Sequence, residues 1–164
     1  MAEGVPEPVD PRVMRDVLGH FASGVTVVTA DTAGGPLGFT CQSFSSLSLD
    51  PPLVMFAPAR TSWTWPRLRE IGHFCVNVLA EDQTALSQTF ARSGNDKFAG
   101  VPWTRSRHGS PVLEDVVAWI DCELWAEYDG GDHTLVAARV LDLGAHADRR
   151  PLVFHRGSYG LRES

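Results

Sequence analysis

Four short words in this chain carry side chains suited to holding a polar ligand. The first is Thr40-Cys41-Gln42-Ser43-Phe44-Ser45-Ser46. Small hydroxyls and one amide cluster there, and such short side chains let a ligand come close to the backbone. That place suits a flat, many-acceptor molecule with a phosphate tail. The second word is Arg60-Thr61-Ser62, followed by Thr64, just ahead of an expected helix. A helix N-terminus offers free N–H groups and partial positive charge to an anion. Arg60 adds a full charge, and Ser62 and Thr64 add hydroxyl donors. The third is Asp96-Lys97-Phe98, an ammonium for a phosphate beside a ring that could cover another ring. The fourth is Gly131-Asp132-His133 at an expected hairpin mouth. There the glycine tolerates the positive φ of a turn. His133 could touch a substrate, a pyrophosphate or a carboxamide. Each word also has a plainer reading: a Ser-rich surface strand with a bulge, a helix cap, a charged loop with a buried anchor, and a solvated turn histidine.

The first word lies where a strand must break. Apolar residues fall at 39 and 41 and again at 47 and 49, while Phe44 falls on the other parity. Alternate strand residues share a face. One regular strand therefore cannot keep all of them on the core side, and the chain is expected to bulge or turn between Gln42 and Ser46.

Composition removes several function classes. The chain has 164 residues and a formal net charge of −6. A surplus of carboxylates argues against nucleic acid, whose binding rests on many phosphate contacts. No apolar run is long enough for a membrane span, and residues 1–10 lack a signal-peptide pattern. Cys41, Cys75 and Cys122 are odd in number and sit in strand-like apolar contexts. They read as buried free thiols in a reducing cytoplasm. No zinc-ligand spacing occurs, nor a G-x-G-x-x-G turn, a Walker loop or a G-x-S-x-G elbow.

The elements that would position the four words follow from pattern. Residues 1–9 read as a disordered tail, and 10–164 as one domain. Asp10-Pro11 starts a helix as N-cap and first-turn proline. Its apolar face is Val13, Met14, Val17, Leu18 and Phe21, with Ser23-Gly24 as its stop. Val25–Ala30 and the segment through Gly38–Cys41 make a hairpin. Leu53–Ala57 reads as a buried strand, and 65–71 as a helix stopped by Gly72, with Ser62 or Thr64 as its cap. Phe74–Leu79 is a strand. A third helix is expected to open at Ala80-Glu81-Asp82-Gln83, its acids matched to the helix dipole, with Leu86 and Phe90 one turn apart. Residues 92–107 are loop-rich. Val117–Tyr128 is a long strand, with Ala118, Ile120, Cys122, Leu124 and Ala126 on its apolar face. Trp119, Asp121, Glu123, Trp125 and Glu127 share the other face, as a subunit contact or as exposed-edge aromatics. Asp129-Gly130-Gly131-Asp132 turns the chain into a returning strand from His133, and two short strands end it. Strands and helices do not alternate regularly, so a mainly β, closed or partly closed antiparallel barrel with helices at its ends is expected.

Six words, taken in order, resemble the flavin reductase-like family, the small reductase components of two-component flavin-dependent monooxygenases. They are Ser23-Gly24-Val25-Thr26-Val27-Val28-Thr29, Ser43-Phe44-Ser45-Ser46-Leu47-Ser48-Leu49-Asp50-Pro51-Pro52, Val76-Asn77-Val78-Leu79-Ala80-Glu81-Asp82-Gln83, Asp96-Lys97-Phe98, Gly131-Asp132-His133 and Arg156-Gly157-Ser158-Tyr159-Gly160. The resemblance implies a split β-barrel, a homodimer with flavin at the subunit boundary, and FAD or FMN reduced by NADH or NADPH. It also implies a separate oxygenase or halogenase that receives the reduced flavin. It assigns flavin contact to Thr40, Cys41, Gln42, Ser43, Phe44, Ser45 and Ser46. The phosphate side falls to Arg60, Ser62 and Thr64, and the flavin-flanking loop to Lys97 and Phe98. Nicotinamide positioning falls to Asp132 and His133, and a flavin or partner-subunit contact to Tyr159. Cys41-Gln42 stands where the family often has Ala-Asn, which bears on the choice between FAD and FMN. Hydride transfer would be the cofactors' own chemistry, with no acid/base dyad required. Two other readings stay open: a module that keeps its flavin without NADH turnover, and an oxidase of the pyridoxamine-phosphate-oxidase barrel type.

Overall fold

The computed structural model describes residues 6–94 and 96–161. Most of the expected N-terminal tail, residues 1–5, lies outside them, as do residues 162–164 of the expected domain. Three helices, α1 (Pro11–Leu18), α2 (Trp65–Ile71) and α3 (Thr84–Phe90), accompany an antiparallel β framework. Its main sheet holds β2 (Thr26–Thr32), β3 (Gly35–Cys41), β4 (Ser45–Leu49), β5 (Pro52–Phe56), β6 (His73–Val78), β9 (Ala118–Gly130) and β10 (His133–Ala145). The strand order is β3-β2-β6-β9-β10-β5-β4, so the two outer strands are consecutive in the chain and joined by residues 42–44. A second small sheet joins β1 (Ser23–Gly24), β11 (Val153–His155) and β12 (Ser158–Tyr159), and β7 (Trp103–Arg105) pairs with β8 (Pro111–Leu113).

The central strands β2 and β6 of the main sheet are covered on both faces. One core contains Val28, Phe56, Trp65, Leu68, Phe74, Val76 and Cys122, with α2 laid against β2 and β6. Phe56, Trp65 and Phe74 meet edge to face at 5.4–5.5 Å between ring centres, a favoured aromatic geometry. The other core joins Val25, Val27, Leu79, Phe90, Leu113, Val116 and Leu152. Strand β2 supplies Val28 and Ala30 to one and Val27 to the other. Burial on both faces explains why its sequence is apolar or Thr from Thr26 to Ala30 instead of alternating, with Asp31 falling only at its half-buried end.

Polar side chains tie the β7–β8 hairpin to this second face. Asn77 is fully buried. Its amide donates to Val27 O and Thr29 Oγ1 at 3.0 Å, and its Oδ1 accepts the Leu113 N–H at 2.9 Å. Thr29 donates to Pro111 O at 2.6 Å. Asp121, also fully buried, meets His108 Nδ1 at 3.1 Å.

Several expectations change. Helix α1 ends at Leu18 with Gly19 as C-cap, and Ser23-Gly24 is a strand paired with β11. The apolar face of α1 exists but covers nothing among the described residues: Val13, Met14, Val17, Leu18 and Phe21 are all exposed, Phe21 at 86 %. Helix α3 starts at Thr84 and has no acid in its first turn. Gln83 holds 80–83 as a turn by accepting from Ala80 N and donating to Glu114 O, while Glu81 and Asp82 face Arg150 and Arg149. Leu47 and Leu49 point out, Leu49 at 96 % exposed, because β4 is an outer strand that shifts register between Ser46 and Ser48. In β9 the register shifts at Trp125, which has no partner in the ladder and stands 49 % exposed. A bulge reverses facing beyond it. Glu127 therefore lies with the first core, accepting from Trp65 Nε1 at 3.0 Å, instead of beside Asp121. Trp119 is packed in the second core, its ring against Gly144, where a Cβ would lie 2.7 Å from Nε1.

The Asn77 tether yields a direct test. Asn77→Leu keeps the volume but leaves the Leu113 N–H buried without an acceptor. Urea unfolding is expected to show a loss of about 2 kcal/mol. An unchanged midpoint would contradict the tether.

Candidate functional site

A cleft of about 530 Å³ opens where the outer strands meet. Its walls come from four stretches: 39–43 at the end of β3, 57–64 between β5 and α2, 90–93 with Lys97 after α3, and His133 at the start of β10. This volume lies in the range of small-molecule and cofactor sites.

The wall at 39–43 is held by its own hydroxyls. Ser43 Oγ accepts the Ala57 N–H at 2.8 Å and meets Cys41 Sγ at 3.1 Å, which ties the strand break to the opposite wall. Thr40 donates to Ser87 O on α3 at 2.6 Å. Gln42 makes no hydrogen bond among the described residues, so its amide is available to a ligand. Burial raises the Cys41 thiol above its ordinary value, so it stands as a neutral thiol at the cleft.

The 57–64 wall is tied to the β9–β10 turn. Thr134 N donates to Pro58 O at 3.0 Å and Arg60 N to Asp132 O at 2.9 Å. The Arg60 guanidinium reaches Gly131 O and Asp129, and so does not line the cleft. This places His133 on the wall. The turn's first loop residue, Gly131, has φ 76°, a conformation that favours glycine. His133 Nδ1 lies 2.7 Å from Asp132 Oδ1; with Nδ1 donating to that carboxylate, a neutral ring presents Nε2 as an acceptor. The hydrogen bond from His133 holds the Asp132 carboxyl below its ordinary value, and the one from Arg60 does the same for Asp129. Both contacts favour the folded turn above the usual carboxylate range and lose that effect as pH falls through the lowered pKa values.

At α2, the helix begins after Thr64, but the capping bond comes from Ser62, whose Oγ accepts the Trp65 N–H at 3.1 Å. Thr61, Ser62, Trp63 and Thr64 all face the cleft. The Arg67 guanidinium lies 3.6 Å over the Trp63 ring. Across from them, Arg92 and Ser93 line both this cleft and an adjoining cavity of about 280 Å³.

The fold thus gathers Thr40, Cys41, Gln42, Ser43, Ser62, Thr64, Lys97 and His133 at one cleft, and places the other seven candidates elsewhere. Phe44 packs on the first core, and Ser45 and Ser46 are exposed on β4. Arg60 and Asp132 belong to the turn that supports His133. Phe98 packs edge to face on Phe90, 4.9 Å between centres, in the second core, and does not line the cleft as Lys97 does. Tyr159 joins a separate groove, with its hydroxyl 2.9 Å from Ser87 Oγ. Trp63, Arg92 and Ser93 were not among the sequence candidates. The i, i+4 spacing of Trp63 and Arg67 is a signal for the first; nothing local marks the other two.

An antiparallel β framework with an open cofactor-sized cleft at a strand break defines a small-molecule-binding β protein. Residues 18–161 match the flavin reductase like domain, and the chain belongs to that family. The reductase subunit HsaB of a flavin-dependent monooxygenase from Rhodococcus jostii is 50% identical over 153 residues, 93% of this chain and 78% of that one. Nitrilotriacetate monooxygenase component B from Mycobacterium thermoresistibile superposes with a TM-score of 0.87 at 46% identity, over 91% of this chain and 84% of that one. The NADH:FAD oxidoreductase SgcE6 of Streptomyces globisporus, solved with NAD and FAD fragments, superposes with a TM-score of 0.87 at 35% identity, over 96% and 97% of the two chains.

Proposed function

We propose that this protein is an NADH-dependent flavin reductase that reduces FAD or FMN and passes the reduced flavin to a separate oxygenase or halogenase component. The observation that carries the reading is the cleft itself. It joins the strand break, the 57–64 wall and His133 in a family whose relatives include reductase subunits and an NADH:FAD oxidoreductase. The residues present fit a flavin. Phe39, Trp63 and Phe90 supply apolar surface for a ring, Gln42 an uncommitted amide, and Thr61, Ser62 and Arg92 donors for phosphate. Flavin accepts a hydride from the nicotinamide as its own chemistry. The chain's contribution is to hold the two rings in line and exclude water, so orientation is the main catalytic effect. In this reading His133 positions the nicotinamide, and Asp132 and Arg60 position His133.

The same reading extends to the assembly. The main sheet is a split barrel, a form supported by outer strands that are consecutive and joined by only residues 42–44. Residues 10–164 make one catalytic unit, and its place is the reducing cytoplasm, in keeping with three buried free thiols. Among the described residues no helix is long and apolar enough to cross a membrane. A second copy covers the apolar face of α1 together with Leu49, Trp125 and Leu143, exposed side chains that one copy leaves uncovered.

Two measurements test these points. NADH absorbance should decay only when FAD or FMN is added, and His133→Ala should slow that decay on the order of 100-fold while flavin binding persists. Normal turnover by this variant would contradict the assignment of His133; bound flavin without NADH decay in the wild type would favour a flavin-retaining protein. Sedimentation should give a dimer, and Val17→Glu on α1 should shift it toward monomer. A wild-type monomer would contradict the proposed second copy.

A further inference from the structure

Lys97 is the only lysine in the chain, beside thirteen arginines. It is also buried, 6 % exposed, on the wall of the cleft. Its Nζ donates to Gly38 O at 3.1 Å and Phe90 O at 3.2 Å. No carboxylate pairs with it among the described residues; neighbouring Asp96 is exposed and makes no ion pair with it. Burying a charge without a counter-ion is costly, and burial lowers its pKa from the ordinary lysine value. Two carbonyl oxygens offset part of that cost. The ammonium sits between them as a compact point charge.

A structural tie between β3 and the end of α3 does not call for a charge. The reaction proposed above does. Hydride leaves nicotinamide C4 with both electrons and bonds to flavin N5. The nicotinamide becomes a cation, and the neutral isoalloxazine ring gains one full negative charge. We propose that Lys97 is a fixed cation that favours the reduced, anionic flavin ring over the oxidised one in this cleft. A positive charge held in a partly desolvated wall acts on a charge arriving nearby far more strongly than it would in water. Lys97 is in this sense an electrostatic residue, held in place on the cleft wall by its two carbonyl partners.

This inference rests on the flavin reading of the cleft, and its test separates the two. The affinities of the wild type, Lys97→Met and Lys97→Arg for oxidised and for reduced FAD are measured anaerobically, which also gives the midpoint potential of the bound flavin. The wild type is expected to bind reduced FAD more tightly than oxidised FAD, so the bound potential lies above that of free FAD. Lys97→Met should lower the reduced-to-oxidised affinity ratio on the order of tenfold, and Lys97→Arg should retain much of it. A purely structural role would weaken both redox states alike and leave the ratio unchanged, which overturns the proposal. If Lys97→Met does not fold, the wild-type potential decides alone, and a value below that of free FAD overturns the proposal. Absence of any binding of FAD or FMN by the wild type would overturn the flavin reading, and this inference with it.

Discussion

The connection at residues 42–44 constrains the rest of this structure. Strands β3 and β4 are the outer strands of a seven-stranded sheet, yet only three residues link them. The sheet must therefore bring the end of β3 and the start of β4 within reach of that link, and the backbone there leaves the ladder. Unpaired backbone polar groups must find partners elsewhere. Ser43 supplies one by accepting the Ala57 N–H, which draws the 57–64 segment against the break. The cleft is the space left where those two segments cannot pair as strands.

Everything else at the site is arranged around that opening. Arg60 and the Pro58 carbonyl fasten the 57–64 wall to the β9–β10 turn, so His133 arrives with a defined orientation. Helix α3 closes another side through Thr40 and Lys97. Its approach depends on Gly38, where a Cβ would meet Val28 O at 2.9 Å and the Phe90 ring at 3.0 Å. The two-sided burial of β2 and β6, with Asn77 and Thr29 pinning the β7–β8 hairpin, makes a rigid base. A reaction that relies on orientation needs such a base.

Much of this was legible in the sequence because it rests on local patterns. The β-branched run at 25–30, the hairpin turn within 129–132, the Gly72 stop and the parity conflict at Phe44 each set one local feature, and each is present. The cleft candidates at 40–43 followed from that parity conflict. What escaped the sequence depends on distance. Trp125 looks like part of a regular alternation, and only its unpaired place opposite Ala137 and Ala138 shows the bulge that turns Glu127 toward Trp65. Asp121 reads as a surface charge until His108, brought from another hairpin, meets it in the interior. Lys97 and Phe98 read as one functional word, yet Lys97 lines the cleft and Phe98 packs in the second core. Arg92 reaches the cleft only because α3 ends there. The amphipathic pattern of α1 is real, but its period identifies a face without saying what covers it.

Amide hydrogen exchange with and without FAD tests the central claim most directly. If the cleft at the strand break holds the flavin, added FAD protects residues 39–43, 57–64 and the segment around 90–97, and leaves the groove beside Tyr159 unchanged. Protection confined to that groove, or none at all, would contradict the account.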